Sequence, residues 1–105
     1  MNPENLELHD ATIHGMIVNY SERTVVLRLE IYADLDAKKR VAAEIRFSGV
    51  ERLSDVSDFG SLADNRTAGN VTYWSPAVGY GTTNIYLAGG LIAITAQSVT
   101  VVLVG

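Results

Sequence analysis

Apolar and polar residues alternate along most of this chain with the two-residue period of β-strands. From Thr12 to Tyr20, His14, Met16, Val18 and Tyr20 fall on one face and Ile13, Gly15, Ile17 and Asn19 on the other. Asn19-Tyr20-Ser21-Glu22 supplies turn-forming residues. Arg23 to Asp34 then sets Val25, Leu27, Leu29 and Ile31 against Arg28 and Glu30, with Val26 and Tyr32 beside those two. A polar loop is expected from Asp34 to Arg40. Beyond it, Val41, Ala43, Ile45 and Phe47 alternate with Ala42, Glu44, Arg46 and Ser48. These three segments predict an antiparallel meander with a charged outer face. Ser48-Gly49-Val50 predicts a bend, where glycine relieves the backbone. Glu51 to Asn65 is ambiguous: Val50 and Leu53 could prolong a strand, and Asp55 to Ala63 could form a helical turn or two, kept short by Gly60.

The remainder is also strand-like. Val71, Tyr73 and Ser75 alternate with Thr72 and Trp74, and Pro76 closes that strand. Gly79-Tyr80-Gly81 reads as a turn, Asn84 to Ala88 as a strand and Gly89-Gly90 as a break. Leu91 to Ala96 and Val99 to Val104 read as two further strands joined by a tight hairpin at Gln97-Ser98. Seven or eight short strands predict an all-β fold. The expected form is an antiparallel β-sandwich or flattened barrel, with at most one short helix, as a single domain over residues 1–105.

Charge changes the picture. The last 39 residues, Thr67 to Gly105, hold no Asp, Glu, Lys, Arg or His, so all 20 charged side chains precede them. Charge keeps a sheet surface wet and discourages its edges from pairing. The late strands, with no clear wet face, are therefore expected to be buried inside the fold or covered by a second copy, giving a homodimer. The net charge of −4 opposes nucleic-acid binding, which needs clustered Lys and Arg. Only Lys38, Lys39 and Arg40 cluster, beside Asp34 and Asp36. Ile85 to Gly105 is uncharged and long enough to cross a bilayer, but its Thr and Val content, Gly89-Gly90, Gln97-Ser98 and unflanked ends oppose a span. No membrane association is expected. Met1 to Asn5 has neither a basic start nor an apolar run, so no secretory leader is expected there, and the acceptor-like Asn19-Tyr20-Ser21, Asn65-Arg66-Thr67 and Asn70-Val71-Thr72 are taken as coincidental. The absence of cysteine excludes disulfides and fits a cytoplasmic protein.

Catalytic patterns are weak. His9, Asp10 and His14 gather histidine and carboxylate, but no remote Cys or His completes a zinc set, so no metal and no cofactor are expected. They read as a polar strand start, with a minor enzyme using them as an outside alternative. No nucleophile elbow is present, and Gly79-x-Gly81 lacks the rest of a phosphate loop. Paired carboxylates, Asp34 with Asp36 and Asp55 with Asp58, fall in polar loops. No catalytic residue is assigned. Tyr73, Trp74, Tyr80 and Tyr86 form the better candidate, since Tyr and Trp anchor protein interfaces or stack on sugars. The competing expectation places Tyr73 and Tyr86 in the core with Trp74 lying across it.

Leu8-His9-Asp10-Ala11-Thr12-Ile13 followed by a strand, then Arg46-Phe47-Ser48-Gly49-Val50-Glu51-Arg52-Leu53, resembles small uncharacterised bacterial β-rich proteins. These open on a Leu-His-Asp-Ala-like strand start and carry a Phe-x-Gly-Val-x-x-Leu centre. Some proteins of this general look are immunity proteins, which bind and neutralise a toxin. The resemblance implies a protein partner, no catalysis and a bacterial source. It assigns no functional residue. The function expected is therefore protein binding with self-association through the late strands, and the alternative is a small-ligand or glycan-binding module using Trp74 and Tyr80.

Overall fold

The structure, a computed structural model, describes residues 2–32, 38–65 and 69–104. Asp34 and Asp36, in the expected polar loop, and Arg66 and Thr67 lie outside the described residues. The described chain is β-structure apart from a 3-10 turn (Pro3–Asn5) and one short helix, α1 (Phe59–Asp64). Its strands are β1 (Thr12–Asn19), β2 (Thr24–Ile31), β3 (Val41–Val56), β4 (Val71–Ser75), β5 (Gly81–Leu87) and β6 (Gly90–Leu103). All six join one antiparallel sheet in the order β1-β2-β3-β6-β5-β4. No helix among the described residues is long and apolar enough to cross a membrane.

The long β3–β6 ribbon organises everything else. Its pairing runs from Ala43↔Leu103 to Val56↔Leu91. β2 pairs only with the first half of β3, Val41 to Ser48, and β5 only with the first half of β6, Gly90 to Ala96. One half of the ribbon thus carries β2 and β1, and the other carries β5 and β4. Bent in the middle, the ribbon folds the two halves face to face as a flattened barrel. The apolar face of β2 (Val25, Leu27, Leu29, Ile31) and of early β3 (Ala43, Ile45, Phe47) shares one buried cluster with Ile85, Ile92 and Ile94. This follows from the clean alternation in those segments: one face goes in, and Arg28, Arg46 and Ser48 stay out.

The bend has a local cause. In β6 the buried side chains are Ile92, Ile94 and Ala96, then Val101; in β3 they are Ala43, Ile45 and Phe47, then the half-buried Val50 and Leu53. Both strands therefore change parity at the same level, where Gly49 lies opposite Gln97. Gly49 has φ +62°, and a Cβ there would stand 2.5 Å from the Gln97 Cγ. A register slip between Val50 and Arg52 completes the turn from one layer to the other. The expected hairpin at Gln97-Ser98 is thus corrected: these residues sit inside one continuous strand, at its bend, and the described residues form six strands where seven or eight were expected.

The barrel closes where β1 meets β4. The Asp10 amide donates to the Val71 carbonyl, and the Asn70 and Val71 amides both donate to the Ala11 carbonyl, each at 3.0 Å. Asn70 is 2% exposed, and its side chain spans the junction to Ile13.

The late strands do have a wet face, contrary to expectation, but it is a neutral one. Thr72, Tyr73, Ser75, Thr82 and Tyr86 are exposed, and the Thr82 and Thr95 hydroxyls meet at 2.7 Å. Hydroxyl and amide groups keep this face hydrated where other sheets use charge.

Candidate functional site

Cross-strand pairing places Tyr73 of β4 directly beside Tyr86 of β5. Their rings stack with centroids 5.8 Å apart and planes 22° from parallel. They are 56% and 41% exposed, so the stack lies on the surface and not in the core. Such a pair strengthens the strand contact and leaves two phenol edges available to a partner. Tyr80, in the turn before β5, is 59% exposed, and its hydroxyl donates to Glu51 Oε1 at 3.1 Å. Gln97 donates to the other oxygen, Oε2, at 3.1 Å. The hydrogen bond to Glu51, and then the charge of Glu51, push the Tyr80 hydroxyl above its ordinary range.

Trp74 does not join this surface. A register slip between Val71 and Tyr73 turns Val71 and Trp74 to the same, inner side. Trp74 is 3% exposed, and its indole Nε1–H donates to the Leu6 carbonyl at 2.9 Å. The expected group of four thereby falls to Tyr73, Tyr86 and Tyr80, and a sugar-stacking platform loses its largest ring. The arrangement also reverses the competing expectation, since the tyrosines are outside and only the tryptophan is in the core.

The two histidines do different things. The exposed His9 donates through Nδ1 to the Thr72 carbonyl at 3.0 Å, and its Nε2 lies 3.5 Å from Asp10 Oδ2. The Thr72 carbonyl, then Asp10, favour the protonated ring and raise the His9 pKa. The Leu-His-Asp-Ala segment is thus the latch of β1 to β4. His14 is the extra residue of a bulge in β1 and lies 2.6 Å from Glu30 Oε1 through Nε2. Among the described residues, no three His, Asp or Glu side chains could hold a metal ion.

Sequence reasoning missed a groove. A hollow of about 480 Å³ opens between Ile13–Met16 of β1, Asp55 at the end of β3, and Phe59, Leu62 and Ala63 of α1. Leu87 and Ile92 form its apolar base, and His14, but not His9, lies on its wall. A smaller hollow of about 190 Å³ lies between the same two strands, from Val18, Asn19 and Tyr20 across to Val50 through Leu53. The Asp55 carboxylate accepts from the Ser57 hydroxyl at 2.5 Å. Strict alternation sets Ile13 and Ile17 on one face of β1 and Met16 and Val18 on the other, whereas the bulge at His14 brings Ile13, Met16 and Val18 together on the core side and leaves Ile17 exposed.

Among the described residues, the surfaces that stand out are an uncharged tyrosine face and an apolar groove. Comparison of the chain with protein families, with curated proteins and with solved structures finds no match, so its function rests on its own residues.

Proposed function

We propose that this protein is a non-catalytic protein-binding module that self-associates through the neutral face of β4, β5 and the first half of β6. The observation that carries this reading is the exposed Tyr73–Tyr86 stack on a face without a single charged side chain. Tyrosine supplies large contact area at small entropic cost, and interface centres are poor in charge. A second copy meets this face with no desolvation of ions and no like-charge repulsion. The acidic remainder of the chain, with its net charge of −4, faces outward in such a dimer and suits a basic partner, which is compatible with a toxin-neutralising role.

Sedimentation velocity tests this. The wild type is expected to be a dimer at low micromolar concentration. The double substitution Tyr73→Ser with Tyr86→Ser is expected to give a monomer with an unchanged β-sheet circular dichroism spectrum. A wild type that stays monomeric at high micromolar concentration contradicts the proposal.

A further inference from the structure

Between β1 and the second half of β3 the barrel stays open. Among the described residues, Gly15–Asn19 hydrogen-bonds through its backbone to β2 alone, and Arg52–Val56 to β6 alone. Two unpaired strand edges thus flank the groove, each of them five residues or about 16 Å long. They run in opposite directions: the Ile13 end of β1 lies across from Asp55, and the Asn19 end across from Val50. Protein edges are usually blunted by Lys, Pro or inward charge. The β1 edge reads Gly-Met-Ile-Val-Asn and has none of these. Met16, Val18 and Leu53 pack against the core but are only half covered, and Val56 is 63% exposed.

The chain itself shows what closes such a gap. Along β4, the N-terminal segment runs beside the strand: the Asp10 amide reaches Val71, the His9 ring reaches the Thr72 carbonyl, and the Leu6 carbonyl takes the Trp74 indole. Leu6 and Leu8, two positions apart, go into the core. Backbone and ring hydrogen bonds to the neighbouring strand, with alternate apolar side chains inserted, are the terms on which this fold accepts an added segment.

We propose that the gap between β1 and β3 receives an extended segment of a partner protein, which adds to the barrel as a strand. Its apolar side chains, at alternate positions, cover Met16 and Leu53. Charge sets its polarity. The wide end presents the Asp55 carboxylate, whereas Arg23 and Arg52 stand at the narrow end, where Glu51 is already engaged by Tyr80 and Gln97. A Lys or Arg of the segment therefore lies over Asp55. This inference rests on the protein-binding reading but uses a different surface, so loss of the dimer in the tyrosine variant leaves it standing.

The test is to pan a phage library of random dodecapeptides against the full chain, then follow amide hydrogen exchange with a synthetic copy of an enriched peptide. Enriched peptides are expected to alternate apolar and polar residues with a Lys or Arg near one end. The peptide is expected to protect amides in Gly15–Asn19 and Arg52–Val56. Its affinity is expected to fall about tenfold on Val56→Lys or Asp55→Asn, each at an exposed site that leaves the fold intact. Absence of enrichment, or protection at Tyr73 and Tyr86 instead, overturns the proposal. So does a groove that binds anilinonaphthalene sulfonate but no peptide, which is then a small-ligand pocket. Loss of the wild-type dimer on Val56→Lys also overturns it, because the occupant is then a second copy.

Discussion

The Asn70 side chain pairs with the Ile13 backbone as a strand would: its Oδ1 accepts the Ile13 amide at 2.8 Å and its Nδ2 donates to the Ile13 carbonyl at 3.2 Å. The same Nδ2 lies 3.4 Å from the Leu62 carbonyl, so one buried amide joins β1, α1 and the start of β4. Asn70→Ala leaves the Ile13 donor and acceptor without their partner. It is expected to cost about 2–3 kcal/mol, read as a lower urea midpoint with an unchanged slope. Asn70→Asp is expected to be worse at neutral pH, because it sets a carboxylate against two carbonyl oxygens and removes the donor.

Next to it, Gly69 has φ +102°, and a Cβ on it would lie 2.3 Å from the Asp10 carbonyl oxygen. That oxygen belongs to backbone and is held by Arg40 Nε at 3.0 Å, so it has nowhere to go. Gly69→Ala is expected to destabilise by more than about 2 kcal/mol. At Gly49 the obstacles are Gln97 Cγ at 2.5 Å and Gln97 Cβ at 2.8 Å, atoms at the root of a side chain, so Gly49→Ala is expected to cost more than the roughly 1 kcal/mol of a left-handed alanine. Thermal unfolding of the two variants ranks them.

His9 makes the β1–β4 latch sensitive to pH. Its folded pKa is raised above the ordinary 6.5, first by the Thr72 carbonyl and then by Asp10. A raised value means that protonation favours the folded state. The contribution is complete below pH 6.5 and is lost as pH climbs through the raised value. The urea midpoint of the wild type is expected to slip over that interval, and His9→Gln is expected to remove this part of the slope. Proton NMR of the two imidazoles checks the cause directly, since His9 is expected to titrate above 6.5.

Trp74 reports on the core. With 3% exposure its fluorescence is expected to resist iodide quenching and to ignore added sugars. Trp74→Phe keeps an aromatic ring but deletes the 2.9 Å bond to the Leu6 carbonyl. A loss of about 1–3 kcal/mol is expected, together with faster amide exchange in the segment before β1.

These residues also show where sequence reasoning reaches its limit. Strands β2, β3 and β5 announce themselves because Leu27, Ile45 and Ile85 recur at every second position with polar residues between. Trp74 was misplaced because one slip at Thr72 moves it to the face of Val71, and alternation carries no mark of a bulge. Gln97-Ser98 looked like a turn for a related reason: the parity of burial changes there, and a parity change reads the same whether a strand bends or ends. The groove was illegible because Met16, Asp55 and Leu62 become neighbours only after the ribbon has bent.

That bent ribbon has a kinetic consequence. Pairing Val56 with Leu91 and Ala43 with Leu103 encloses α1, β4 and β5 in a loop that must be closed before the two layers can meet. The entropy lost in closure comes early, while the reward of burial comes late. Neither layer can form by itself, since each borrows half of β3 and half of β6. Refolding of this small protein should therefore be slow and concerted, with both layers acquiring protection in a single phase.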